Sequence, residues 1–219
     1  MKFSIKVLMV AALPFFVISC NNEVSKENTP ATETPTTAAS FDGSQAVDLE
    51  ASSLYWKGYK IMGNHGGTIA LKEGNLQFEK GALTGGKFVV DMKSIKTTDL
   101  MDKGEEVSEE KANKDKSRLA DHLMDPDFFD VNQFPDASFE ITNSTAEGNN
   151  FQISGNLTIK GVTNEITFPA VLKDNTFEGT VPVDRTKFGI KYGSGSFFDN
   201  LGDRAIKDVF DLEVSLRMI

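Results

Sequence analysis

The sequence predicts an all-β chain: an antiparallel barrel of about eight strands with one helix and an aromatic plug. Three observations carry this. Apolar residues recur at every second position in run after run: Ile69 and Leu71; Leu76 and Phe78; Phe88, Val90 and Met92; Phe139 and Ile141; Phe151, Ile153, Leu157 and Ile159; Ile166, Phe168, Ala170 and Leu172; Phe177, Val181 and Val183; and Phe210 to Met218. Mostly polar residues lie between them, so each strand has one buried and one wet face. Turn-forming pairs separate the runs at hairpin spacing, as at Glu73-Gly74-Asn75 and Asp174-Asn175. Finally, one charged segment followed by a phenylalanine-rich corner interrupts the alternation.

The chain begins with MKFSIKVLMVAALPFFVISC, a basic start and a short apolar run ending in the only cysteine of the 219 residues. This reads as a secretory leader over residues 1–19, too short and too abruptly followed by polar sequence to span a membrane. Val17-Ile18-Ser19-Cys20 is similar to a bacterial lipobox, which implies lipidation of Cys20 and export to the cell envelope, periplasm included, as a membrane-anchored lipoprotein. Residues 20–44 are rich in Thr, Pro, Ala, Ser, Asn and Glu, and such composition cannot bury enough apolar surface to offset its ordering entropy. They are expected to form a disordered tether. The barrel domain is expected over residues 45–219.

Within that domain, residues 102–118 are almost wholly charged and predict a solvated helix or loop, with the helix centred near 105–124. Two readings stand for it, a plain solvated face or a lid over the barrel mouth. Leu119 and Leu123 lie four apart at its end, and Pro126 stops it. Phe128, Phe129 and Phe134 follow with no regular period, as a plug would, and Pro135 pushes the chain into the strand carrying Phe139 and Ile141.

Composition excludes several function classes. The formal net charge is −9 with no basic stripe, which argues against nucleic acid as a partner. There are two histidines, no G-x-S-x-G and no phosphate loop, so neither a zinc site nor a cofactor site is expected. A hydrolase using His122 and the adjacent Asp121 stands as one alternative, without a nucleophile to complete it. His65, beside Gly66 and Gly67, reads as a turn residue. Seventeen phenylalanines, three of them in the leader, stand against one tryptophan, Trp56. They suit either a solid core or a tunnel for hydrocarbon, and alternation alone does not separate the two. A non-catalytic scaffold or adhesion domain would have the solid core. For a tunnel, Phe88, Val90, Phe139, Phe151, Ile153, Leu157 and Phe168 are the expected lining, and Phe128 and Phe129 shape its closed end.

Four stretches carry a family resemblance: WKGYKIMGNHGG (56–67), DHLMDPDFFDVNQFPDASFEI (121–141), GNLTIKGVTNEITFP (155–169) and VDRTKFGIKYG (183–193). In this order they resemble the YceI-like lipid-binding family. The resemblance implies a lipocalin-like barrel that holds a polyisoprenoid or fatty-acyl amphiphile. It places Arg185, His65, His122 and Lys191 where donors to a polar head group would sit. With so few titratable candidates, a binding protein rather than an enzyme is expected.

Overall fold

The computed structural model describes residues 41–98 and 109–219. The expected leader, Cys20, the tether up to residue 40 and part of the charged run lie outside them. The elements are β1 (Gly43–Ala46), β2 (Ser53–Lys60), β3 (Gly63–Glu79), β4 (Ala82–Thr97), α1 (Glu109–Met124), β5 (Asp136–Glu147), β6 (Asn150–Ile159), β7 (Val162–Lys173), β8 (Thr176–Asp184) and β9 (Val209–Arg217). Strands β2 to β9 pair antiparallel with their chain neighbours, and β2 pairs with β9, through Leu54 opposite Val214 and Trp56 opposite Leu212. That last ladder closes an eight-stranded ring.

The ninth strand, β1, is an addition. It pairs with the far half of β3, Gly43 opposite Phe78, whereas β2 pairs with the near half, Leu54 opposite Ile69. Val47 bridges Met218, so β1 prolongs the place of β2 between β3 and β9. The Phe41 ring lies 5.2 Å from that of Phe78. Residues 41–44, expected in the tether, therefore belong to the barrel.

Tight turns connect three hairpins. Lys80-Gly81, Lys160-Gly161 and Asp174-Asn175 all have positive φ at both central residues, the geometry that matches the twist of the flanking strands. The expected turn at Asp174-Asn175 is thus observed, but the one at Glu73-Gly74-Asn75 is not. Those residues lie inside β3, where a register shift between Leu71 and Glu73 inserts a bulge. An extra residue flips the alternation. This is why Ile69 and Leu71 face inward at odd positions and Leu76 and Phe78 at even ones. Similarly, His65 lies within β3 opposite Gly58, three residues past Met62 of the turn.

One end of the barrel is solid. Phe78, Phe151 and Phe177 join Phe41, with ring centroids 6.5 Å apart for Phe78 and Phe177 and 5.0 Å for Phe151 and Phe177. Leu172 and Leu83 fill the spaces around them, fully or almost fully buried.

The other end is closed by the segment that breaks the alternation. Helix α1 packs against β4, with Leu123 buried and Leu119 partly so, while its charged residues face solvent. The described part of the charged run is thus a solvated helix, and of α1 it is Leu123, beyond that run, that borders the interior. After Pro126 the chain doubles back, and the Phe129 and Val131 amides donate to the carbonyls of Leu123 and Met124. Phe128 and Phe129 turn inward, 7% and 8% exposed, with rings 5.1 Å apart. The Lys160 ammonium clasps this corner by donating to the carbonyls of Pro126 at 2.6 Å and Phe128 at 3.0 Å. Phe134 does not join the plug. It covers the β6–β7 turn, where a Cβ on Gly161 would come within 2.8 Å of its ring.

Arg185, only 2% exposed, ties the long segment between β8 and β9 to the same end. Its Nε donates to Lys207 O at 3.1 Å, Nη1 to Ile190 O and Tyr192 O at 3.0 and 2.8 Å, and Nη2 to Ile206 O at 3.1 Å. The Asp208 carboxylate lies 3.6 Å from Nη2, and the face of Phe128 lies 5.8 Å from the guanidinium carbon. Burial lowers the Arg185 pKa, opposed by the charges of Asp208 and Asp184. Burial alone would raise the Asp208 carboxyl, yet the hydroxyls of Ser194 and Ser196 and the Arg185 charge together hold it below the usual carboxylate range.

A depressed carboxyl pKa means that the unfolded chain binds the extra proton first as pH falls, so this stability is present above the ordinary carboxylate range and is lost below it. Arg185→Met should cost about 3–5 kcal/mol, because four carbonyls and one carboxylate lose a buried donor. Asp208→Asn should lower the melting temperature at pH 7, and the gap to the parent should narrow as pH falls below about 4. Thermal unfolding followed from neutral pH to pH 3 checks both; a gap that persists in acid would contradict the assignment to Asp208.

Candidate functional site

Between the aromatic floor and the plug the barrel is hollow. Two cavities of about 100 and 120 Å³ follow one another along the interior. The first is bordered by residues of β2 to β9, among them Leu54, Leu71, Phe88, Phe139, Phe168 and Val214. The second lies under the plug, against Trp56, Met92, Leu123, Phe128, Phe129 and Phe210. Val90, Ala137, Leu157, Val183 and Leu212 border both and form the waist between them.

Burial shows the same hollow independently. Val90, Phe139, Leu157, Ile166, Phe210, Leu212, Val214 and Leu216 face the axis but are only partly buried. Inward side chains of a packed core would be covered by their opposite numbers. Here they border empty space. Such an apolar cavity stays dry, and one of roughly 150 Å³ already admits a benzene-sized guest. The polar side chains at the two linings are Ser138, Glu178, Arg185 and Lys207 among the described residues. Glu178 and Lys207 are exposed, and the Arg185 donors are taken by carbonyls. The arrangement can hold hydrocarbon but offers it little to react with.

The structure brings most of the expected lining together. Phe88, Phe139, Ile153 and Phe168 border the first cavity, Val90 and Leu157 border both, and Phe128, Phe129 and Arg185 border the second. Phe151 does not border either. Its ring stands edge-on to Phe177 in the floor, one layer further from the plug. Alternation could place Phe151 on the inner face but not at a height along the axis.

The expected head-group donors are dispersed. Arg185 spends its N–H groups on the chain itself, and Lys191 extends over the Phe197 ring at 4.7 Å. His65 borders neither cavity. His122 lies in the last turn of α1, its ring 4.5 Å from that of Tyr192. Its Nδ1 faces Asp125 at 3.8 Å and Asp127 at 3.9 Å, rather than the sequence neighbour Asp121. Adjacent residues on a helix diverge by about 100°, so a pairing of Asp121 with His122 has no geometric support. His122, Asp125 and Asp127 lie together among the described residues, but both carboxylates are exposed, and the end of α1 with the reversal after it accounts for the grouping.

Sequence reasoning missed Leu54, Ile95 and Ile206 of the wall, and it placed Leu71 and Val181 on inner faces without naming them as lining. Ile95 was hidden because irregular pairing between β3 and β4 shifts the phase of alternation after Met92. One glycine of the third motif has a clear role. A Cβ on Gly155 would stand 2.5 Å from the Phe139 ring and 2.4 Å from Glu140 O, so only glycine lets that ring lie against the wall beside it.

The chain is similar to several known proteins. It is 37% identical over 84 residues to a UPF0312 protein of Pseudomonas paraeruginosa, a match covering 34% of this chain and 44% of the length of that relative. With a UPF0312 protein of Pseudomonas putida it shares 28% identity over 181 residues, 78% of either chain. Among solved structures, BcnA of Burkholderia cenocepacia superposes with a TM-score of 0.58 at 22% identity, over 78% of this chain and 98% of the other. A polyisoprenoid binding domain from Saccharophagus degradans does so with a TM-score of 0.53 at 12% identity, over 78% and 95%. The YceI-like domain model matches residues 45–218, nearly the whole of the described chain. By this match, and with the barrel that its structural neighbours share, the chain belongs to the YceI-like family.

Proposed function

We propose that the barrel binds the apolar chain of one amphiphile, isoprenoid or fatty-acyl, and sequesters or carries it without chemical change. The observation that carries this reading is the hollow itself: inward residues on all eight strands of the ring are apolar, and many remain partly uncovered. Apolar surface left bare inside a fold is a binding site awaiting contact, and each methylene buried there contributes about 0.8 kcal/mol. The Saccharophagus domain with the same fold is described as polyisoprenoid binding, which supports an isoprenoid among the ligands to try first. Phe88, Val90, Phe139, Ile153, Leu157 and Phe168 form the wall of the bound chain in this proposal, with Phe128 and Phe129 against one end. Catalysis has no place in it.

Native mass spectrometry of the purified protein, paired with organic extraction, should find a lipid. Geranylgeraniol or oleic acid added at about 100 times its dissociation constant should stabilise the fold by about 2.7 kcal/mol, a rise of roughly 5–10 °C in melting temperature. Bare protein and no thermal shift with either compound would replace the carrier by a scaffold.

Ala137 is the smallest side chain at the waist. Ala137→Phe should therefore split the tunnel, lowering affinity for oleic acid about tenfold or more while leaving octanoic acid within about twofold, since a short chain needs only one chamber. Titration calorimetry with both acids distinguishes this from a general loss of fold, which would affect them equally.

The same proposal has the protein exported and held at a membrane by acyl chains on Cys20, which leaves the barrel free at the end of the tether. Mass spectrometry of protein extracted from membranes by detergent should give a mature chain beginning at an acylated Cys20, and Cys20→Ser should release the protein into the soluble fraction. An unmodified chain with another N-terminus would remove the anchor from the proposal.

A further inference from the structure

Two ladders of the ring stop well before both of their strands end: β4–β5 beyond Gly86 opposite Ile141, where the gap lies beside Leu83, which borders neither cavity, and β7–β8. Strand β6 pairs with β7 over the full length of β6, from Asn150 opposite Val171 to Ile159 opposite Val162, and β8 pairs with β9 over nine residues. Between β7 and β8 the register runs only from Lys173 opposite Thr176 to Ala170 opposite Gly179, and there it ends. Beyond that point the two strands continue, β7 back to Val162 and β8 on to Asp184, each bonded to its outer neighbour. The far end of the gap is tied by a single side chain, Asn164 Nδ2 donating to Lys187 O at 3.1 Å. From Ala170 to Asn164 is six residues, a slot of about 20 Å along the strand.

The seam is written into the sequence. Of the seven prolines, two lie within described strands, Pro169 on β7 and Pro182 on β8. Proline has no N–H to give a ladder, so it sits in a strand only where its nitrogen faces away from a partner. Pro169 keeps its place opposite Gln152 of β6, and Pro182 opposite Asp211 of β9. In both cases the missing donor is therefore on the side facing the slot. The ladder stops at the residue next to Pro169, whose carbonyl lies 2.8 Å from where a Cβ on Gly179 would stand. Both edges thus lack a donor where they would need one to close.

The side chains that alternate inward along these edges, Ile166 and Phe168 on one and Val181 and Val183 on the other, all border the first cavity. The slot therefore leads into the hollow midway along the barrel, between a solid floor and a clasped plug. We infer that the seam between β7 and β8 is the portal through which the apolar chain of the ligand enters and leaves, sideways through the wall rather than through an end. This rests on the binding reading above. A portal is a kinetic element, so closing it slows exchange in both directions and leaves the equilibrium between free and bound ligand in place.

Thr167 and Thr180 are exposed on the outer face of the two edges. In the full chain carrying Cys20→Ser, Thr167→Cys and Thr180→Cys can be joined after folding by a short bis-methanethiosulfonate linker, and reduction reverses the link. The probe is cis-parinaric acid, which fluoresces when its polyene chain is buried, followed by stopped flow. With the link in place, association and dissociation should each slow by about tenfold or more, with the dissociation constant within about twofold, and reduction should restore both rates. Pro169→Val with Pro182→Val, which returns the two donors, should slow exchange in the same direction without any linker. Unchanged rates in the linked protein overturn the portal and leave the binding reading standing. A link that changes dissociation and affinity together makes the edges part of the binding wall and also overturns the portal. No binding of the probe by the unlinked protein, with no lipid found on extraction, overturns both.

Discussion

Closure of the ring through the β2–β9 ladder is the constraint on which the other features depend. Each strand carries one apolar face, and such faces can be hidden by stacking two sheets or by rolling one sheet upon itself. Pairing of Leu54 with Val214 and Trp56 with Leu212 selects the second, and it also removes the edges that would otherwise recruit another chain. A closed ring of eight has an interior just wide enough for side chains to fill or for one small ligand. Which of the two occurs is decided by residue size at each height along the axis. Phe41, Phe78, Phe151 and Phe177 are large enough to meet across it, whereas Ala137, Val90, Val183 and Leu212 are not.

The two ends are held by different physics. The floor rests on aromatic contact and needs no polar partner. At the plug end irregular chain must cross the barrel mouth, and irregular chain brings backbone carbonyls that no ladder satisfies. Lys160 and Arg185 supply the donors, two bonds from the first and four from the second. A cation with several rigid N–H groups is suited to gathering carbonyls from distant parts of a loop, which explains an arginine buried among Phe128, Ile190 and Ile206. Arg185, a position that the motif-based reading assigns to head-group recognition, is in this way occupied with holding the barrel shut.

The fold was legible because alternation is a local signal repeated eight times, and the helix and its stop at Pro126 were equally local. The limits came where geometry is not local. Bulges in β3 and β4 shift the phase of alternation, so Leu71 and Leu76, both inward, lie an odd number of residues apart and looked like two strands with a turn between. Tunnel and core also need the same residue types. Height along the axis, which separates Phe151 in the floor from Phe168 in the wall, is fixed by the stagger between strands rather than by either strand alone. Of the carboxylates at His122, Asp125 comes from i,i+3 spacing and Asp127 from the chain reversing after Pro126, and neither is the adjacent Asp121.

A barrel that encloses an apolar chain faces a conflict between closure and exchange. Closure favours complete ladders, since each unpaired backbone group removed from water costs free energy, whereas exchange needs some part of the wall or an end to open. The clasped plug would have to break several charge-assisted hydrogen bonds at once to open. The β7–β8 seam breaks no ladder bond beyond Ala170, because none is formed there: Pro169 and Pro182 each leave out one donor, and the remaining groups can be met by water from outside. Its two strands nonetheless stay together, fixed by the tight turn at Asp174-Asn175 on one side and by Asn164 on the other, and each remains fully laddered to its outer neighbour. In the portal reading, opening at the seam therefore breaks no ladder bond, and it does so where the inner edge residues Ile166, Phe168, Val181 and Val183 are all apolar.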